Sequence, residues 1–357
     1  MSTASTTELV AAPPRALSLR WIISARDDLI WFIGSVASSY LLLALYVTGL
    51  VPLLPLVLAW AVLIDAPHVF GTFSRTYFDR AERLARPRLL WGSLAFFVVG
   101  PVMVLAGAGL LFFFLAALWA YYHLVKQHYG FMVLYKKKNC DLTPTDNALD
   151  RLFILFALAY PFVAFIPRDA EAMTKVPAAL HWSLNYLANA LLVVTIMIAL
   201  VWLARQVQRA WAAQPLDGPK YLLLAAAIPM HWVVLLTPMP QKPIAIVAIL
   251  TVYHNLQYHR LIWFHNQKYR REESRTQHGA AEFISRRLLY YVAFGVLFGL
   301  SYRLPRFLVE QRQGAQSTAV QLLAAFFWGY AFIHYHLDAH IWRVRRDPSV
   351  GKALRME

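Results

Sequence analysis

From residue 29 to residue 342 the chain reads as one long apolar run after another, broken only by short clusters of charge, turn residues and proline. Each run has about the 20-residue length that an α-helix needs to cross a bilayer. The runs do not alternate apolar and polar positions, which excludes an outer-membrane barrel. Taking charges, turns and prolines as boundaries, the pattern predicts ten spans at roughly 29–49, 51–70, 89–107, 109–135, 151–167, 183–204, 220–238, 243–265, 287–302 and 316–342. The expected fold is an all-α, polytopic transmembrane helical bundle. The split at Pro52 and the Gly107-Ala108-Gly109 link are its tightest connections, and one of those hairpins could be re-entrant.

Charge tests the span count independently, because Lys and Arg collect in alternate, cytoplasmic loops when the crossings are counted correctly. Arg75, Arg80, Arg83, Arg86 and Arg88 follow the second span; Lys136, Lys137, Lys138 and Arg151 follow the fourth; Arg205, Arg209 and Lys220 follow the sixth. Lys268, Arg270, Arg271, Arg275, Arg286 and Arg287 follow the eighth, and Arg343, Arg345, Arg346, Lys352 and Arg355 the tenth. Opposite loops hold only Arg168, Lys175, Lys242, Arg303, Arg306 and Arg312, so 28 of the 34 basic residues fall on one side. Both termini are then expected in the cytoplasm. The division is a tail at 1–28, one transmembrane domain at 29–342 and a basic tail at 343–357, with no cleavable signal peptide. The location implied is a bacterial-type inner membrane or another cytoplasm-facing one.

With 59% hydrophobic and 15% charged residues, the composition excludes a soluble enzyme on a single anchor. The net charge of +15 is then a property of cytoplasmic loops, so no nucleic-acid partner is expected. Cys140 is the one cysteine, which rules out an internal disulfide and a thiolate metal cluster.

Candidate chemistry lies in the twelve histidines, most of them inside apolar spans, where ionisable groups are costly and usually functional. His68 ends the second span; His123 and His128 lie in the fourth; His254, His259 and His265 in the eighth; His334, His336 and His340 in the tenth. The charge-derived topology runs all four helices from outside to inside, so all nine histidines fall in the cytoplasmic half. Four helices then present imidazoles at similar depth, as a metal site in a bundle core requires. His265 reads as interfacial, His278 as solvated, and His181 and His231 as helix-packing groups.

Within the assigned spans the only carboxylates are Asp65 and Asp338, and both belong to histidine clusters. A charged Asp at a helix centre costs roughly 2.5–3.5 kcal/mol, offset when it coordinates a metal or accepts from a ligating imidazole. Asp65 and His68, His336 and His340, and His334 and Asp338 each share a helix face. The last two pairs point in different directions, so one pair is structural or the helix is distorted near Gly329. His123/His128 and His254/His259 are five apart, about 140° around a helix, so neither pair chelates one ion without a π-bulge. The candidate metal ligands are therefore His68, His123, His128, His254, His259, His334, His336, His340, Asp65 and Asp338. Gln127, Asn255 and Gln257 are candidate hydrogen-bond partners of the ligating rings. Arg75 reads as an ordinary loop cation or, less simply, as a contact to a lipid headgroup.

Imidazole with a few carboxylates and no thiolate suits iron, zinc, copper or nickel. Eight histidines and two aspartates exceed one tetrahedral zinc and fit two metals, with two irons per chain favoured because open positions on iron activate dioxygen. The clusters resemble, in site type, the polytopic histidine-rich membrane non-haem iron enzymes: fatty-acid desaturases, hydroxylases and alkane monooxygenases. His123/His128 has the HxxxxH spacing and His336/His340 the HxxxH spacing of their boxes, while adjacent-histidine boxes are absent. Pro67-His68 and the Tyr253–His259 stretch are also similar to segments of the bacterial Brp/Blh-type carotene dioxygenases. The function expected is a membrane di-iron oxygenase acting on a lipid or other apolar molecule, fed by an acidic soluble electron donor at the basic face. A zinc-dependent lipid hydrolase, a haem electron carrier and a metal or ion transporter are the alternatives.

Overall fold

The computed structural model describes residues 17–270, 277–313 and 317–356. Of the basic residues counted above, Arg15, Arg271 and Arg275 lie outside them. Ten long helical segments follow one another: α1 Ala25–Val47, α2 Leu53–Arg75, α3 Pro87–Leu105, α4 Gly109–Lys138, α5 Pro144–Arg168, α6 Ala178–Trp211, α7 Gly218–Leu236, α8 Lys242–His265, α9 Leu288–Gln313 and α10 Thr318–Ile341. Among the described residues, eight helices (α1 to α7 and α9) are long and apolar enough to cross a membrane. The other two, α8 and α10, have 24 residues each and carry most of the intrahelical histidines. Among the described residues, the one strand pairing is a two-residue parallel match of β1 (Leu17–Ser18) with β2 (Leu216–Asp217).

Burial divides the bundle into a centre and a rim. Sixteen of the 24 residues of α8 are buried, against five of the 34 in α6, so α8 is the central post and α6 faces outward. Helices α1, α2, α4 and α7 surround α8, and α10 packs on α3 and α2. Most of the helices are apolar on every side, as expected where the solvent is hydrocarbon.

Two local features set the position of α2. Residues Ala61–Asp65 form a π-turn in which the Ala66 amide donates to the Ala61 carbonyl five residues back. Pro67 lies just beyond it and has no amide hydrogen to offer, so the turn absorbs a register change that a regular helix would not allow. Helix α9 then approaches this turn through Gly295 and Gly299, four residues apart. A Cβ on Gly295 would lie 2.7 Å from the Pro67 side chain, and one on Gly299 would lie 2.8 Å from Ala66. Small residues at this spacing are what lets two helix backbones meet.

At one end of the bundle, α4, α5, α6 and α7 are tied by charges that, apart from the half-buried Arg205, are buried. Lys136 pairs with Asp150, Lys220 lies 2.8 Å from Asp141 and 3.2 Å from Asp150, Arg209 lies 3.0 Å from Asp141, and Arg205 lies 2.7 Å from Asp146. The basic clusters that follow the fourth and sixth spans therefore share one end, as the charge pattern requires.

Several boundaries differ from expectation. Helix α5 starts at Pro144, which places Asp146 and Asp150 inside it, and α9 continues through Pro305 to Gln313, so Arg303 is helical and not in a loop. Helix α10 is unbroken at Gly329, whose missing side chain makes room for Phe97. The two tails are also less separate than composition implies: Ile22, Val350, Leu354 and Met356 join one buried cluster with α4, α5, α7 and α8. Asp28 closes the N-terminal turn by accepting from the amides of Ile22 and Ile23.

Candidate metal centre

Four helices each contribute one histidine to a single point. His68 of α2, His123 of α4, His254 of α8 and His334 of α10 are all buried, and one ring nitrogen from each lies within 4.8 Å of the other three. Ring centroids are 4.8 Å apart for His68–His254, 5.2 Å for His254–His123, 4.7 Å for His123–His334 and 4.3 Å for His334–His68, with neighbouring rings steeply inclined. Both nitrogens of His68, Nε2 of His123, Nδ1 of His254 and Nε2 of His334 have no hydrogen-bond partner. Unpartnered buried nitrogens are unfavourable, and four of them converging is the arrangement that an ion with nitrogens at about 2.0–2.1 Å would satisfy.

The residue one helical turn beyond each histidine is polar, and these four residues build a second layer: Thr72, Gln127, Tyr258 and Asp338. Thr72 Oγ1 donates to Asp338 at 2.8 Å and lies 2.7 Å from His334 Nδ1, which makes the hydroxyl the acceptor of the ring N–H. Tyr258 lies 2.5 Å from Thr72 and donates to Asp338 at 2.8 Å. With Nδ1 of His334 protonated and engaged, its Nε2 carries the lone pair and faces the other three rings. Gln127 donates to the backbone carbonyl of His254 at 2.7 Å and to Gln257 at 3.3 Å, fixing α4 against α8 beside the cluster. On the opposite side, one turn before the histidines, stand Ile64, Trp119, Leu250 and Tyr330. Trp119 stacks on Phe332, and Tyr335 stacks on His123 at 4.3 Å. The cluster thus separates a hydrogen-bonded layer from a largely apolar, aromatic one.

Six of the ten ligands expected from sequence lie elsewhere. His259 is hydrogen-bonded at both nitrogens, to Tyr291 and to the Ile64 carbonyl in the π-turn, each at 3.0 Å. His336 and His340 pair with each other on a half-exposed face of α10, where His340 Nδ1 lies 2.8 Å from the His336 carbonyl. His128 turns away from His123 towards His231 and Tyr253. Asp65 is held 2.6 Å from Arg303 and accepts from Asn255 at 3.4 Å, so a cation balances its charge. Asp338 stands behind His334 as a hydrogen-bond acceptor.

The three candidate amides hold helices together instead of receiving imidazole N–H groups; Gln257 donates to the Phe32 carbonyl at 2.7 Å. Arg75, expected in a loop, is fully buried: its guanidinium stacks 3.8 Å over Trp342 and donates to the Ile341 carbonyl at 2.6 Å, at the C-terminal end of α10. It locks α2 to α10 and reaches no headgroup at the surface. His278 is not solvated either, since Nδ1 lies 3.0 Å from Asp79. His265 is buried between Trp342 and Tyr269, outside the cluster.

Sequence reasoning passed over Thr72 and Tyr258. The signal for both was present, because each lies four residues after a histidine of the cluster and therefore on the same face. No protein-family model matches this chain, and no curated protein or solved structure matches it.

Proposed function

We propose that this integral membrane protein is a non-haem iron oxygenase that acts on a lipid or other apolar molecule at the four-histidine centre. The observation that carries the proposal is the convergence of four buried, unpartnered imidazoles from four helices. Four neutral nitrogens complete a tetrahedral zinc site and leave it closed, whereas iron of higher coordination number keeps positions open. Iron held by His68, His123, His254 and His334 would supply dioxygen activation.

The chain's own residues supply the rest. Thr72, Asp338 and Tyr258 fix the tautomer and orientation of His334, and Gln127 fixes the helix that carries His254. The aromatic layer of Trp119, Phe332 and Tyr335 excludes water and receives an apolar chain entering from the bilayer between helices. Thr72, Tyr258 and Asp338 form a hydrogen-bonded row through which protons reach the opposite side. The basic loops would face the cytoplasm in a ten-span arrangement and attract an acidic electron donor.

Elemental analysis of detergent-purified protein, combined with an absorption spectrum and an oxygen-uptake screen against membrane lipids and apolar chains, tests this reading. It requires iron that is lost in His68→Gln and His334→Gln, no Soret band, and uptake that depends on an apolar substrate. Zinc at the same four residues, with no oxygen uptake, would replace the proposal with a structural or hydrolytic zinc site.

A further inference from the structure

A second group of unpartnered imidazoles lies deeper along α4. His128 and His231, the latter on α7, are both fully buried. Neither ring nitrogen of His128 has a partner, and Nε2 of His231 has none. The other nitrogen of His231 defines the tautomer. Tyr121 donates its hydroxyl hydrogen to the Leu158 carbonyl at 2.6 Å, so at 2.9 Å from His231 Nδ1 it can only accept. Nδ1 therefore carries the hydrogen, and Nε2, which has no hydrogen-bond partner among the described residues, presents a lone pair.

The two rings are placed as ligands of one ion would be. With a metal–nitrogen distance of about 2.0–2.1 Å, each ring centroid lies about 3 Å from the metal, so two imidazoles on one ion have centroids about 5–6 Å apart at angles from tetrahedral to linear. His128 and His231 are separated by 5.5 Å with their planes at 80°. No direct hydrogen bond joins them, and no carboxylate or cation pairs with either ring among the described residues. Tyr253 packs against His128 at 5.2 Å, but its hydroxyl donates to the Phe32 carbonyl and makes no hydrogen bond to the ring.

We propose that His128 and His231 hold a second first-row transition-metal ion, of the iron, copper, zinc or nickel class that imidazole suits, completed by water or another small ligand. Tyr121 is the positioning residue that sets the donor nitrogen of His231. The site is distinct from the four-histidine centre but adjacent to it: His123 and His128 lie five residues apart on α4, and Tyr253 and His254 are neighbours on α8. The inference does not depend on the activity proposed above.

The test counts iron, copper, zinc and nickel per chain in the full-length, detergent-purified protein after metal loading, for wild type and for His128→Gln, His231→Gln, Tyr121→Phe and His334→Gln. Circular dichroism verifies that each variant keeps its helix content. Two ions per chain are expected, with one lost in each of the His128 and His231 variants and a different one lost in the His334 variant. Tyr121→Phe, which preserves shape, is expected to weaken the second ion about tenfold and leave the first unchanged. One ion, lost in the His334 variant and kept in the other three, overturns this inference while the four-histidine reading stands. One ion kept in the His334 variant and lost in the His128 and His231 variants supports it and removes the four-histidine reading instead. Should the two glutamine variants lose their helix content, the Tyr121→Phe titration decides: an unchanged profile overturns the site.

Discussion

Replacing Thr72 with valine keeps the shape of the side chain and removes one hydroxyl. That hydroxyl accepts from His334 Nδ1 and donates to Asp338, with Tyr258 also within hydrogen-bond distance. In the metal-free protein the His334 ring can turn to relieve its stranded N–H. With Nε2 bound to an ion it cannot, so the penalty falls mainly on the loaded state. A buried donor without a partner costs about 1–3 kcal/mol, and about 1.4 kcal/mol is a factor of ten, which puts the loss of affinity at about 5- to 150-fold. Loss of an outer hydrogen-bond partner of a metal-bound histidine is of that order, about 10- to 100-fold. Chelator competition on purified protein reads the affinity, and circular dichroism reports on the fold. Thr72→Ser, which restores the hydroxyl, is expected to recover most of the loss. Tyr258→Phe removes a group that touches Thr72 and Asp338 but not His334, and is expected to have a smaller effect. Wild-type affinity in Thr72→Val, or no recovery in Thr72→Ser, would refute the assigned role.

Three further outcomes follow from the packing and the charges. Gly295→Val forces a side chain into Pro67 and is expected to destabilise the bundle by about 1–3 kcal/mol and to lower metal content by moving His68; unfolding in mixed detergent and elemental analysis measure the two effects. Lys136→Ala leaves Asp150 buried with one fewer cation and is expected to cost about 3–5 kcal/mol, seen as a large drop in thermal stability; a change below about 1 kcal/mol would show that Lys220 alone satisfies the carboxylate. Asp217, between α6 and α7, is pushed up to about 7 by burial, although the Lys220 amide and cation oppose the shift. Its folded-state pKa exceeds the unfolded one, so its contribution is fully present below about pH 4 and is lost as pH rises through 7. Asp217→Asn should flatten that part of the stability profile, and an unchanged slope in a pH series of melts would assign it to other groups.

The helical segments and the four that carry the histidine cluster were legible in the sequence, because apolar run length and histidine position each report on one helix at a time. Which histidine faces the centre was not. Helices that, like α4 and α8, have no marked apolar face give no stripe from which to orient His123 against His128, or His254 against His259. His336 with His340 and His334 with Asp338 each share a face in the sequence, and only the face that carries His334 turns to the centre. Asp65 was read as a ligand because its counter-ion, Arg303, lies past the expected end of the ninth span, and α9 in fact continues through Pro305. Arg75 looked like a loop cation because the aromatic ring that covers it, Trp342, is 267 residues away in sequence.

The one-turn offset between the two layers links their inheritance. His68 with Thr72, His123 with Gln127, His254 with Tyr258 and His334 with Asp338 form four repeats of a single spacing, histidine followed four residues later by a hydrogen-bonding side chain. Moving any of these helices by one residue would displace a cluster histidine and its supporting group together, whereas an insertion between helices would disturb neither. Evolution can therefore lengthen or shorten the loops freely while each pair stays fixed. A distant chain with this centre would be recognised by four such pairs on separate apolar helices, even where no other residue of the two sequences aligns.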